Sequence, residues 1–266
     1  MSLSNLRGVY IIWYRDLLRF WRDRARLITA FIMPFLFLVV FGTGIASSVF
    51  GGAGDGDFDY IQFMYPGIIG MVVLFTSIMT GVSVVWDREF GFLKEVLVAP
   101  ISRTSVAIGK ALGGATIATI QGIFMLVFIP FAHVSLTVGE AFLLIALMFV
   151  FSVSLTSMGL LIASRIRSME AFQVVVQLIL FPLFFISPAM FPTQFLPAWL
   201  GTAVKFNPVS YGIDSLRQVV LGSSESAMFG IELFGYRMPI ILDVAVVALF
   251  GIVMGTLAIR SFRVQE

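Results

Sequence analysis

Apolar residues run through this chain in six long blocks separated by short polar breaks, at approximately 27–49, 61–86, 105–131, 141–164, 171–191 and 239–259. A bilayer core takes about 20 consecutive apolar residues per helix, so each block predicts a membrane span. The first five are almost free of charge, as expected when a charge at mid-span costs about 2.5–3.5 kcal/mol on insertion scales. Asp243 stands near the start of the sixth, within reach of the interface. The second and third blocks are long enough to tilt or to protrude from the membrane. Pro34, Pro182 and Pro188 are expected to kink the first and fifth.

The same pattern predicts two amphipathic helices outside the spans. Before the first block, Tyr10, Trp13, Leu17, Phe20 and Trp21 fall at roughly helical spacing on one side of the segment 9–26. Arg15, Asp16, Arg19, Arg22, Asp23 and Arg26 fall on the other. Aromatics beside arginines suit a helix lying along the cytoplasmic membrane surface, as anchor or as docking element. Between the second and third blocks, WDREFGFLKEVLVAPISR places Phe90, Leu93 and Leu97 on one helical face, with charges around them and Pro100 as the stop. Such a helix, presented to the cytoplasm, suits either a bare surface position or insertion into a groove of another protein. After the fifth block, the stretch 187–238 still holds apolar runs, which suit short helices that dip into the outer leaflet.

Composition agrees with a membrane protein. Of the 266 residues 59% are hydrophobic and 12% charged, with mean hydropathy +1.01. Soluble domains carry about 25% charged residues, so too few polar groups exist here to cover a soluble surface. The chain has no cysteine and one histidine, His133, which excludes disulfide scaffolds and multi-histidine metal sites. The positively charged N-terminal segment runs into an apolar block too long for a signal peptide, so the N-terminus is expected to be retained. Of the 17 lysines and arginines, only Lys205, Arg217 and Arg237 fall on the side opposite the rest. The positive-inside rule therefore places both termini in the cytoplasm, which requires an even number of spans. Asp55, Asp57 and Asp59 form an external acidic loop that lacks the later ligands of a calcium loop and reads as a solvated turn.

Two segments resemble a known family. DREFGFLKEVLVAPISR is similar to the cytoplasmic segment of type-2 ABC exporter permeases, the group containing the daunorubicin-resistance drug exporters. NPVSYGIDSLRQVVLG, at 207–222, resembles the segment preceding their last span. The resemblance implies an all-α membrane protein: six transmembrane helices, an N-terminal interfacial helix (1–26), a cytoplasmic coupling helix and external re-entrant helices, in a single domain over 1–266. It implies that Arg88, Glu89, Phe90, Gly91, Leu93, Lys94 and Glu95 transmit movement from an ATP-hydrolysing subunit. It further implies two copies of that subunit, a second permease copy, and an external helix opened by Pro208. Asn207 before Pro208 is a cap and first-turn pair on physical grounds as well. Asp214 and Arg217, at i and i+3 on that helix, are expected to form an ion pair.

No phosphate-cradling G-x-x-x-x-G-K-[ST] pattern occurs, so ATP and Mg are expected on the partner subunit, with no cofactor on this chain and no nucleic acid as partner. The substrate path is the least legible part. Gln173 and Gln177 on one face of the fifth block, and Thr76 and Thr80 in the second, are candidates for it or for interhelical hydrogen bonding. Phe31, Phe35, Phe181, Phe184 and Phe185 are candidates for an apolar wall. The expected function is export of a hydrophobic or amphipathic drug or lipid-like molecule, in contact with membrane lipids, from a cell (plasma or inner) membrane. Polysaccharide or glycolipid export and an ATP-independent secondary transporter are the alternatives. The latter normally places ionisable residues at mid-membrane, and none lies at the centre of the first five blocks. An intramembrane serine protease would need serine with histidine inside the membrane, which His133 does not supply.

Overall fold

A computed structural model describes residues 3–45, 60–89, 102–193, 196–222, 230–233 and 236–264. Its elements are helices α1 (Leu3–Arg22), α2 (Arg24–Ile45), α3 (Tyr60–Met79), α4 (Val82–Glu89), α5 (Arg103–Met125), α6 (Val138–Arg165), α7 (Met169–Phe185), α8 (Ala198–Phe206), α9 (Pro208–Val220) and α10 (Ile240–Val264). A short antiparallel pair, β1 (Glu232–Leu233) and β2 (Tyr236–Arg237), sets Glu232 opposite Arg237 just before α10.

All six apolar blocks are helical in much of their described length. Tyr60–Glu89, Arg103–Phe128, Val138–Arg165 and Ile240–Phe262 are long and apolar enough to cross a membrane. Met169–Phe185 is a shorter apolar helix, and Leu27–Gly42 passes the same test only together with Asn5–Arg22, from which it turns through 78°. The fifth block ends as a helix at Phe185, so Pro188 lies beyond it, while Pro34 and Pro182 lie inside α2 and α7. The acidic residues Asp55, Asp57 and Asp59 lie outside the described residues.

Local signals set the helix ends. Thr137 and Glu140 form a reciprocal capping box that opens α6, the Glu140 carboxylate accepting from the Thr137 N–H at 2.8 Å. Ser102 and Ser168 cap α5 and α7 by accepting from the N–H groups of Ser105 and Ala171. Asn207 caps α9 with Pro208 in its first turn, and Gly222 takes a positive φ of 72° just past its end.

Helix α3 is the centre of the bundle, nearly buried throughout and packed against α2, α5, α6, α7 and α9. The Tyr65 hydroxyl donates to the Met125 carbonyl at 2.8 Å and the Tyr60 hydroxyl to that of Met190 at 2.9 Å, which satisfies both phenols in an apolar surrounding. The second block is broken at Thr80–Gly81, which separates α3 from α4. A methyl group on Gly81 would stand 2.6 Å from the Gly159 carbonyl oxygen, and one on Gly159 as close to that of Ile78. Two glycines therefore let the break and α6 meet backbone to backbone.

Candidate functional site

Helix α1 lies against α5 along much of its length. Asn5 accepts from the N–H of Ser102 at 3.2 Å, Trp13 donates to Thr116 at 3.0 Å, and the Trp21 and Phe124 rings meet edge-on. Glycines one turn apart make this approach possible. A methyl on Gly109 would stand 3.0 Å from the Val9 carbonyl, and one on Gly113 3.3 Å from the Asp16 side chain. The buried face of α1 is Gly8, Ile12, Asp16 and Phe20, whereas Tyr10 and Trp21 are exposed. Asp16 thus sits on the packed face and not among the exposed charges with which its spacing grouped it.

A charge partner accounts for this. The Lys110 ammonium, on α5, stands 2.9 Å from Asp87 and 3.4 Å from Asp16, and donates to Ser83 at 3.0 Å. Arg15 reaches Asp87 at 3.2 Å and Asp16 at 3.3 Å. Two cations and two carboxylates balance, and Lys110 and Asp87 are both 3% exposed. Lys110 is therefore a buried residue of the third apolar block. Its signal was readable: Gly109 and Gly113 flank it, and Asp16 recurs at helical spacing with Gly8, Ile12 and Phe20.

The next two residues each meet a different helix terminus. The Arg88 guanidinium donates to the carbonyls of Ser164 and Ile166, at 3.3 and 3.0 Å, where α6 ends. The Glu89 carboxylate accepts from the N–H of Met169 at 3.2 Å, where α7 begins. A cation at a C-terminus and an anion at an N-terminus both oppose the helix dipole in the favourable sense. Arg88 and Glu89 end the helix that continues the second block. Phe90, Gly91, Leu93, Lys94 and Glu95, the rest of the expected coupling set, lie outside the described residues.

An apolar cavity of about 370 Å³ opens between α2, α3 and α7, walled by Phe37, Phe75, Phe181, Phe184 and Phe185. Its polar edge is Thr76, whose hydroxyl donates to the Gln121 side-chain oxygen. Of the sequence candidates, Thr76, Phe181, Phe184 and Phe185 line it. Phe31 and Phe35 lie elsewhere, stacked on Phe124 and Phe128 at 5.0 and 5.2 Å. Thr80 lines a second cavity of about 550 Å³ beside α1, with Asp16, Phe20, Ser83 and Trp86. Gln173 and Gln177 are exposed on the outer face of α7. Phe75 and Gln121 were not anticipated, because neither spacing nor composition distinguishes them from other apolar or polar positions in their blocks.

At the opposite end, α9 is buried over nearly its whole length. Arg217 donates to the Pro188 carbonyl and lies 4.2 Å from the centre of the Phe63 ring. It does not close on Asp214 as an ion pair. Asp214 instead accepts from Gln218 at 3.2 Å and from the N–H of Ile231 at 3.4 Å, and Gln218 also donates to Asp243 at 2.7 Å. Burial pushes the Asp214 carboxyl up, opposed by the Arg217 charge. Burial also pushes Arg217 down to about 10, opposed by Asp214.

From Arg7 in α1 to Leu221 beyond α9, residues 7–221 match the family model described as ABC-2 type transporter. The chain belongs to this family. The transport permease ycf38 of Cyanophora paradoxa is 29% identical over 236 residues, 88% of this chain and 80% of the relative. The inner membrane transport permease YadH of Escherichia coli is 27% identical over 222 residues, covering 80% and 83% of the two chains. The daunorubicin resistance ABC transporter permease protein DrrB1 of Streptomyces coeruleorubidus is 26% identical over 217 residues, 79% and 74% of the two. The resemblance read from the two motifs is thereby borne out: this is an ABC-2 type permease chain, all-α and multi-pass, of a kind that works with an ATPase partner.

Proposed function

We propose that the chain is the transmembrane half of an ATP-driven exporter that moves a hydrophobic or amphipathic molecule out of the cytoplasm or the inner leaflet. The observation that carries this reading is the phenylalanine-walled cavity between α2, α3 and α7. Its wall is apolar and aromatic with Thr29, Thr76 and Gln121 as its polar side chains, a lining that favours an apolar guest held by few directional bonds. A polysaccharide would need many more hydrogen-bonding groups than these three provide. ATP and Mg belong to two ATPase subunits that seat on the segment following α4, with Arg88, Glu89, Phe90, Gly91, Leu93, Lys94 and Glu95 as the coupling residues.

The working unit is a pair of permease copies, each a single domain of six spans with both termini in the cytoplasm of a plasma or inner membrane. Gln173 and Gln177 support the pairing. They stand on the outer face of α7 beside exposed Val174 and Leu178, and a side-chain amide facing lipid tails lacks partners that a second copy can supply.

Co-expression with the neighbouring ATPase, purification through either partner and reconstitution in liposomes test the reading. Both proteins are expected in one complex, and a membrane-partitioning dye is expected to leave the cytoplasmic-side compartment only with ATP. Purification of the permease without the ATPase, or dye movement driven by an ion gradient alone, would overturn it.

A further inference from the structure

Three consecutive residues at the end of α4 fan out to different helices. Asp87 reaches Lys110 of α5 and Arg15 of α1, Arg88 reaches the last turn of α6, and Glu89 reaches the first turn of α7. The segment that leaves α4 at Phe90 is therefore rooted in four helices besides its own. Only one of these links, through Lys110, is almost wholly shielded from water.

A buried ion cluster is an unlikely device for stability alone. Removing two charges from water costs several kcal/mol per ion, and well-packed apolar side chains in the same space are often as stable or more so. What the charges add is registry, because the ammonium is held by Asp87, Asp16 and Ser83 at 2.9, 3.4 and 3.0 Å and accepts few other positions. The glycine-lined contact of α1 with α5 is apolar at Val9 and Ile12 and is held in register near there by the single bond of Trp13 to Thr116, whereas the ion cluster alone ties both helices to α4.

We propose that Lys110, Asp87, Asp16 and Arg15 are positioning residues of the transport cycle: they lock α1 and α5 to the root of the coupling segment, so that a push on that segment moves α1, α4 and α5 as one block. The inference rests on the exporter reading above, in which the segment after α4 is the seat of the ATPase. On this account α1 is part of the moving machinery and not a passive membrane anchor.

The chain contains no cysteine, so introduced thiols are unique. A reporter thiol at exposed Trp199 (Trp199→Cys) on α8, probed with a membrane-impermeant maleimide, reads movement at the external end. In the complete complex in liposomes, labelling is expected to change on trapping with ATP and vanadate. Lys110→Gln and Asp87→Asn are each expected to retain the ATPase and its basal hydrolysis but to lose the labelling response. The double variant restores charge balance without the ionic link, and it too is expected to lose the response.

A normal response in Lys110→Gln, in Asp87→Asn or in the double variant overturns the proposal. Failure of the ATPase to co-purify with the unsubstituted chain, or absence of any response there, overturns the exporter reading instead.

Discussion

Lys110 and Asp87 meet at 2.9 Å inside the bundle, one from α5 and one from α4. The two helices are thus tied to each other by a charge pair that water barely reaches. Ser83, one turn before Asp87, accepts a third bond from the same ammonium and ties the contact to the break at Thr80–Gly81.

Removing one member of this pair should be costly. Lys110→Met leaves Asp87 and Asp16 with Arg15 as their remaining cation, and breaking a buried pair in this way costs about 3–5 kcal/mol. Thermal unfolding in detergent is expected to show a large loss for Lys110→Met and for Asp87→Leu separately. Changing both together should cost less than the sum of the two, because neither charge is then stranded. Strict additivity would show that the residues do not interact.

Arg88 should act through the end of α6. Arg88→Ala removes donors from the Ser164 and Ile166 carbonyls and a cation from a helix C-terminus, at a cost of about 1 kcal/mol. Both bonds come from Nη1, at the end of a side chain longer than that of lysine, so Arg88→Lys keeps the charge but falls short of the carbonyls and is expected to recover only part of the loss. Unfolding midpoints of the three proteins check this order. Equal midpoints for alanine and arginine would remove the contact from the account.

How much of this was legible in the sequence depends on how local the cause is. The six apolar blocks, the Asn207–Pro208 helix start and the two family segments rest on neighbouring residues, and periodicity or motif exposes them directly. The partners that bury the charge of Lys110, Asp87 and Asp16, stand 23 and 94 positions away along the chain and are not written in its own neighbourhood. Only the glycines beside it hinted at a close helix. The break at Thr80–Gly81 hides in an apolar run because its cause, the approach of Gly159, lies in another helix. For the cavity, aromatic composition alone could not select Phe181 over Phe31, since every block carries phenylalanine and only packing decides which ring meets which helix.

The cavity separates binding from stability. Phe184 is buried and Phe181 is about half exposed, yet both line the same space. Phe184→Ala is expected to lower stability by about 3 kcal/mol or more, as large-to-small core changes do. Phe181→Ala should leave the unfolding midpoint nearly unchanged while weakening binding of an apolar fluorophore, read from its emission on titration. Equal binding by Phe181→Ala and the unsubstituted chain would move the site elsewhere.

The external cluster predicts a pH dependence of folding. Asp214 and Asp243 are both fully buried and within hydrogen-bonding reach of one another, with Gln218 bonded to both. Arg217, Arg237 and Tyr211 are the other titratable groups that act on the pair. Burial raises the Asp214 carboxyl above its ordinary value, so the folded chain holds that proton more tightly than the unfolded chain does. Stability from this group is therefore full at low pH and falls as pH rises from the ordinary carboxylate range, near 4, towards the raised folded value. The unfolding midpoint in detergent is expected to be lower at about pH 8 than at about pH 5. Asp214→Asn, which keeps the shape without the titration of this carboxyl, should reduce that difference, with Asp243 left as the titrating carboxyl of the cluster. Arg217→Gln should steepen it, because the cation that favours the ionised carboxyl is gone. A midpoint in the unsubstituted chain that does not fall over this range would show that Asp214 stays ionised in the fold, with Arg217 as its effective counter-charge despite the absence of a direct ion pair.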